Sequence, residues 1–349
     1  SEGEIKGNYK EVEKVSTKDL AKANTALMAA TCENSSLIEI ADTNAKVGAS
    51  LKSSTDFKVS TQITEGDKTE KYDFAINGST EAALAATSDA EGDLATLAAM
   101  LKVNGKVSLP NAIFSKEETG NREISAKEEL YVDASEGLEG AYIYFNTDIK
   151  GLPEKEGDEP SSLAMILGKK KVTLANLFAL IKSGDLPIEI PSMPEIDLSE
   201  TVPAEGFTVV ELQSALMMID ATLSFDCSDG IKIKISSSAT TKDKIKALMV
   251  PMLKVTDLSE LKIDKLNFNF YLHLDEQGHL IATAANADVK IEIPASLTKG
   301  VKLNMEGNAS FSLNIGNVEV KIPDDIKTDK LYEELFAPQT DAPQIDGDG

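Results

Sequence analysis

Residues 266–293 read LNFNFYLHLDEQGHLIATAANADVKIEI and alternate between apolar and polar side chains on both sides of Gln277-Gly278. Such alternation predicts strands, because successive side chains of a strand point to opposite faces of the sheet. A two-residue turn at Gln277-Gly278 places position 274 opposite 281 and position 270 opposite 285. In this register the apolar side chains of both strands share one face. The segment is therefore predicted to be an antiparallel hairpin.

The same period of two extends through much of the chain. It recurs over 301–322, around Asp229-Gly230, over 57–76, and in a hairpin at 127–148 that turns at 137–140. Helical spacing is limited to 16–31, 174–181, 208–219, 245–249 and 331–336. Thr208 and Glu211 have the spacing of a capping box, and Pro251 is predicted to end the fourth helix. These patterns predict an α+β fold with long antiparallel sheets, as a half-open barrel or rolled sheet, and a few packing helices.

Two stretches with loop-forming composition divide the chain into similar halves, and each half begins with a helix. The first is an acidic loop at 151–161, and the second is a proline-rich stretch at 186–203. The predicted organisation is a helix-plus-sheet module at 10–158, a helix and connector at 159–205, a second helix-plus-sheet module at 206–337, and a loose tail at 338–349.

The charge balance excludes one class of partner. The 349 residues include 35 Lys and Arg against 58 Asp and Glu, a net charge of −23. Nucleic acid is excluded as a partner, because its binding requires cations that displace counterions. The electrostatic field of this net negative charge is expected to repel the folded protein as a whole from an anionic bilayer. No apolar run reaches the ~20 residues of a membrane-spanning helix. The sequence starts at Ser1 in a polar stretch, as it would after removal of a leader peptide. We therefore expect a possible membrane tether through a removed N-terminal segment.

No catalytic or metal-binding motif stands out, so we predict no enzyme activity, no cofactor and no metal site. The chain has two histidines, and the predicted register points His273 and His279 to opposite faces of the hairpin. The adjacent acid pairs, such as Glu128-Glu129, point to opposite faces for the same reason. Asp346 and Asp348 resemble the opening of a calcium loop but lack its later ligands. Cys32 and Cys227 are either two thiols or one disulfide.

An apolar sheet face with few aromatic and many Ala side chains leaves room for a ligand. The candidate lining residues are Met217, Phe268, Phe270, Leu272, Val289, Ile291 and Phe311. The competing interpretation is that helices fill this face and form an ordinary core. For Met217, packing within a helix core is the alternative to an adaptable pocket wall.

The helix at 16–31, the hairpin at 127–148 and the strands at 262–323 together resemble the lipoprotein-carrier (LolA/LppX-like) architecture of secreted bacterial lipoproteins. The elongated lipid-transfer (TULIP-like) proteins are a second likeness. The first resemblance implies a concave sheet face that accepts acyl chains and a lipid-modified Cys upstream of Ser1. The expected function is an extracytoplasmic, lipoprotein-derived, non-enzymatic binding protein for a lipid or other apolar ligand, at the cell surface or in the periplasm. The alternative is a cell-envelope interaction or scaffold protein without a small-molecule ligand.

Overall fold

A computed structural model describes residues 17–32, 46–115, 119–152, 166–183, 205–253, 258–316 and 318–336. These residues form four α-helices and twelve strands. The helices are α1 (Thr17–Thr31), α2 (Leu174–Ser183), α3 (Val209–Met217) and α4 (Thr241–Leu253). The strands of the first half are β1 (Lys46–Glu65), β2 (Lys68–Ser88), β3 (Leu94–Pro110), β4 (Asn121–Ala134), β5 (Tyr142–Lys150) and β6 (Gly168–Thr173). The remaining strands are β7 (Thr222–Asp226), β8 (Ile231–Ser236), β9 (Lys262–Leu274), β10 (Leu280–Ile293), β11 (Val301–Ile315) and β12 (Glu333–Glu334).

All twelve strands belong to one open sheet, so the predicted α+β class with long antiparallel strands is confirmed. The strand order is β12-β6-β5-β4-β3-β2-β1-β11-β10-β9-β8-β7, and all pairs are antiparallel except β12 with β6. Among the described residues, the sheet therefore ends in two separate edges and does not close into a barrel. Strands β1 and β11 join the two halves through fifteen residue pairs, from Ala49 opposite Ile315 to Ile63 opposite Val301.

The β9–β10 hairpin confirms part of the predicted register. Phe270 lies opposite Ala285 as expected, but Leu274 lies opposite Leu280 rather than 281. The turn is longer than two residues, because the Asp275 N–H donates to the carbonyl of His279 and its side chain accepts from the N–H groups of Gln277 and His279. An irregularity between 280 and 282 then restores the expected alternation.

The helices confirm most of the predicted positions. The Thr208 side chain accepts from the Glu211 N–H while the Glu211 carboxylate accepts from the Thr208 N–H, which is the predicted capping box. The prediction that Pro251 ends its helix was wrong, because α4 continues to Leu253. Pro251 lies in the last turn, where its missing N–H leaves a single carbonyl without its helical partner and the helix continues for two residues.

The two faces of the sheet pack differently. On one face, α1 and α3 cover the end formed by β7, β8 and β9, where Leu27, Val209, Leu223, Ile231 and Leu274 are buried. At the opposite end of the same face, α2 contacts β6, and Leu174 packs with Val132, Ile143 and Val172. The apolar face is therefore covered by described helices at both ends of the sheet.

Residues 318–336, which we call the C-terminal strap, lie on the opposite, more polar face. Ile326 of the strap is buried with Ala83, Met100, Tyr131 and Tyr144 of β2–β5. The helix predicted at 331–336 was wrong, because Glu333 and Glu334 instead form β12 beside Lys170 and Lys171 of β6. A strand forms because the open edge of β6 offers backbone partners, and the Leu335 N–H also donates to the Lys171 carbonyl.

Candidate ligand-binding face of the sheet

The apolar face is continuous from β9 to β4, because the cross-strand register aligns the alternating residues of seven strands. One row of directly opposed residues runs Leu272, Thr283, Leu313, Leu51, Ala82, Leu101 and Leu130. A parallel row nearer the middle of the strands runs Leu266, Val289, Gly307, Phe57, Ile76, Val107 and Ile124. Opposed residues of an antiparallel pair lie on the same side of the sheet, so these rows form a single surface.

The middle of this surface is open to solvent in the part of the chain that the structure describes. Ile76 on β2 is 49% exposed and Phe311 on β11 is 39% exposed. Both are large apolar side chains at positions where a helix-covered sheet would bury them. The described helices pack on β6 at one end of the face and on β7–β9 at the other. They therefore do not fill the whole face, as the competing interpretation required.

A row of small side chains crosses the open region at right angles to the strands. It consists of Ala126, Gly105, Gly78, Thr55, Ala309 and Ala287, on β4, β3, β2, β1, β11 and β10. Six strands spaced ~4.8 Å apart make this row about 24 Å long. A Cβ placed on Gly105 would have no heavy atom within 4 Å, so the space above it is empty. The row forms the floor of a shallow trough between bulkier rows.

The structure brings most of the predicted lining residues together. The side chains of Phe268, Phe270 and Leu272 on β9, Val289 and Ile291 on β10, and Phe311 on β11 share the apolar face. Ala285 lies between Phe270 and Phe311, directly opposite both. Leu272 packs against the buried cluster under α1 and α3, so it lies at the covered margin.

Met217 does not join the other lining residues. It is the last residue of α3 and is 52% exposed, outside the rows of the sheet face. The alternative prediction, that Met217 packs within a core of helices, does not hold either, because such a side chain would be buried. The helical spacing that suggested Met217 did not show which side of α3 the sheet would cover.

The first-half residues of the face could not be assigned from the sequence. Phe57, Ile76, Gly78 and Gly105 enter the surface only because β1 pairs with β11 across more than 230 positions of chain. Their alternation signalled strands, but nothing local indicates which strand is the partner.

Glu128 introduces one carboxyl into the apolar face. It lies opposite Val103 and Thr147, and the Thr147 hydroxyl donates to its carboxylate. Burial raises the pKa of Glu128, and the neighbouring Glu129 adds to the effect. Glu129 points to the polar face and pairs with Lys127 at 3.2 Å, so the two acids point apart as predicted.

On the polar face, ion pairs fasten the C-terminal strap. Lys327 contacts Asp133 at 3.0 Å, and Lys169 contacts Asp329 at 2.6 Å. The Ser135 hydroxyl and the Lys327 ammonium both lower the pKa of Asp133. Beside them a shallow groove of about 370 Å³ lies between the strap and the middle of the sheet. Its lining includes Lys52, Glu81 and Lys321, so it is polar and suits water or an ion better than an acyl chain.

The remaining candidate groups have ordinary structural partners. His273 Nε2 lies 2.9 Å from the Asp229 carbonyl, and His279 Nδ1 lies 2.8 Å from the Asp275 carboxylate. Cys32 and Cys227 are free thiols. Within the described ranges, no group of three or more His, Cys, Asp or Glu could hold a metal ion. The tail with Asp346 and Asp348 lies outside the described residues.

Comparison with known proteins adds no family. No protein-family model matches the chain, and no curated protein matches it. None of the helices that the structure describes is long and apolar enough to cross a membrane. The geometry of the sheet is therefore the main indication of function.

Proposed function

We propose that this chain is a non-enzymatic, extracytoplasmic binding protein that holds the acyl chain of a lipid on the apolar face of its sheet. The observation that carries the proposal is the open middle of that face, between ends covered by α1 and α3 and by α2. Ile76 and Phe311 are exposed there beside a floor of small residues. Large apolar side chains exposed on one face of a sheet are typical of a binding site.

The shape of the open region favours an acyl chain over a compact ligand. The small-residue row is about 24 Å long, and an acyl chain spans roughly half of the ~30 Å hydrocarbon core of a bilayer. Ile76, Phe57 and Val107 border the row on one side, and Phe311 borders it on the other. These side chains offer apolar contact without fixed polar partners, which suits a ligand that is recognised by burial rather than by hydrogen bonds.

The location is part of the proposal. It derives from the resemblance to lipoprotein carriers, which also implies a lipid anchor upstream of Ser1. The alternative, a cell-envelope scaffold without a small-molecule ligand, shares the acidic surface and the location. Uptake of an acyl chain separates the two.

The test is titration of the full chain with a fluorescent fatty acid in the absence of vesicles. The double variant Ile76→Lys/Phe311→Lys places two ammonium groups in the open region. It should weaken binding by at least about tenfold, because a charge beside an acyl chain loses hydration. Both positions are exposed, so the fold should be retained.

The matched control is Asn77→Lys/Asn308→Lys, which adds the same charge to the same two strands on the polar face. Both asparagines lie directly opposite Asp56, which can pair with the new lysines. This variant should bind the fatty acid as the parent does. Absence of saturable uptake by the parent protein, or equal loss in both variants, would refute the acyl-chain site and favour the scaffold alternative. Native mass spectrometry of protein from its own host would then show whether a lipid co-purifies.

A further inference from the structure

One wall of the trough changes from polar to aromatic along its length. This wall is a row of directly opposed residues that runs, from β4 to β10, Glu128, Val103, Thr80, Ser53, Phe311 and Ala285. Phe270 on β9 follows opposite Ala285. The other wall, which includes Val107, Ile76 and Phe57, carries apolar side chains or glycine throughout. The trough therefore has a polar end over β4–β1 and an aromatic end over β11–β9.

Glu128 lies at the polar end as a carboxyl group without a counter-ion. The Thr147 hydroxyl donates to it, but Glu128 makes no ion pair with a residue that the structure describes. Lys170 on the same face lies two strands away and is paired with Glu333. Burial raises the pKa of Glu128, because the charged form is poorly solvated there. A partly buried carboxylate is stabilised by a cation, which a ligand can supply.

The protein leaves room for a head group beside Glu128. Gly168 on β6 lies opposite Thr147, and a Cβ placed on Gly168 would have no heavy atom within 4 Å. The hydroxyls of Thr80 and Ser53 have no hydrogen bond with a residue that the structure describes, so they can bind a ligand. A polar group at this end of the trough therefore meets hydrogen-bonding partners and open space.

The distance between the two ends suits a single lipid chain. Four strand spacings of ~4.8 Å separate Glu128 from Phe311, about 19 Å in total. A lipid chain spans roughly 15 Å, half of the hydrocarbon core of a bilayer. A ligand with its head group at Glu128 therefore extends along the floor as far as β1 and β11, where Phe57 and Phe311 offer apolar contact.

We infer that the head group of the bound lipid carries a protonated amine, which pairs with the Glu128 carboxylate while the chain points toward Phe311. Because this head group belongs to the ligand of the apolar face, its assignment rests on the proposed function. An ammonium supplies both a hydrogen-bond donor and the missing counter-charge, and charge-assisted hydrogen bonds are the stronger ones. A hydroxyl supplies the donor alone. A carboxylate or phosphate places a second negative charge beside Glu128, so such a lipid binds through its chain only and more weakly.

The test is displacement of the fluorescent fatty acid from the full chain at pH 7 by competitors of equal chain length. These are dodecylamine, dodecanol and dodecanoic acid, each kept below the concentration at which it aggregates. Dodecylamine should displace the probe at a concentration about tenfold lower than dodecanol, and dodecanoic acid should be the weakest competitor. With Glu128→Gln, dodecylamine and dodecanol should become equal within about twofold, because the amide carries no charge.

The matched control is Glu129→Gln, which removes the same charge one residue away on the polar face. This variant should rank the competitors as the parent does. Equal displacement by dodecylamine and dodecanol in the parent would overturn the inference. A preference for the amine that Glu128→Gln retains, or that both variants lose equally, would assign it to the net charge of −23 and overturn the inference as well. These results leave uptake of the probe intact, whereas absence of saturable uptake refutes the acyl-chain site itself.

Discussion

The ring of Phe57 on β1 covers Gly307, its directly opposed partner on β11. A Cβ on Gly307 would lie 2.6 Å from Phe57 Cδ1 and 2.3 Å from the carbonyl oxygen of Asp56. An aromatic ring over a cross-strand glycine offsets the missing side chain of that glycine. The pair lies in the strand junction that joins the two halves, so its close approach contributes to holding one sheet together.

We expect Gly307→Ala to lower the free energy of unfolding by about 2 kcal/mol, within the range typical of overpacking. The backbone carbonyl of Asp56 cannot move aside without disturbing the β1–β11 ladder, so relaxation is limited. Urea unfolding followed by circular dichroism measures the change through the midpoint and the slope.

The control is Gly105→Ala, where an added Cβ would have no heavy atom within 4 Å. This change should leave stability unchanged or raise it by up to about 1 kcal/mol, because glycine costs entropy in a strand interior. Equal destabilisation by both changes would contradict the role of the Phe57–Gly307 contact.

The C-terminal strap supplies a second prediction, in which apolar burial outweighs ion pairing. Ile326 of the strap is 3% exposed because it packs on the sheet, whereas the Lys327–Asp133 pair is partly solvated. We expect Ile326→Ala to cost roughly 2–4 kcal/mol. Lys327→Met should cost less than about 1 kcal/mol, as exposed pairs do. Hydrogen exchange of residues 318–336 should rise strongly in the first variant only. Similar exchange in both variants would show that the ion pairs hold the strap.

The strands and their faces could be predicted because alternation is local. The 270–285 pairing needed only the two flanking patterns and a short turn between them, and it was correct. The Leu274–Leu280 pairing was missed because the Asp275 side chain caps a longer turn, a contact that alternation does not encode. Similarly, helical spacing at 331–336 was overridden by the free edge of β6, which binds Glu333 and Glu334 as a strand.

The candidate site could be predicted only in part, because half of it comes from distant chain. Phe268, Phe270 and Phe311 were identified from strands that follow one another in sequence. Ile76 and Gly105 belong to the other half, and their place depends on the β1–β11 pairing. This pairing leaves no local trace in sequence, because alternation identifies a strand and its faces but not the strand that it pairs with.

Glu128 gives a prediction about pH. Burial on the apolar face raises its pKa above the ordinary value of 4.5, so the folded state holds the proton more tightly than the unfolded state. The contribution of Glu128 to the free energy of unfolding should then be largest below pH 4.5 and should decrease as the pH rises through the pKa of Glu128 in the folded state. Glu128→Gln removes the effect and keeps an acceptor for Thr147. Its stability relative to the parent should rise with pH, by less than about 1 kcal/mol because the carboxyl is partly solvated.

The matched change for Glu128 is Glu129→Gln, one residue away on the polar face. This change removes the 3.2 Å pair with Lys127, so it should not stabilise the protein at pH 7. Denaturant unfolding from pH 3 to pH 8 measures both variants against the parent. A difference between Glu128→Gln and the parent that stays constant over this range would contradict the burial of the carboxyl.

Cys227 gives the last prediction, about thiol reactivity. Burial raises its pKa from 9.0 to about 11, and the nearby Asp19 and Asp226 contribute in the same direction. The thiolate is the reactive form, so a shift of two pH units should slow alkylation at pH 8 by about a hundredfold relative to the unfolded chain. The measurement uses Cys32→Ser, which leaves Cys227 as the one thiol. Its alkylation rate should rise about tenfold per pH unit between pH 8 and pH 10, because the thiolate fraction does so below the pKa. A rate that levels off near pH 9 would show that the Cys227 thiolate is not disfavoured by its surroundings.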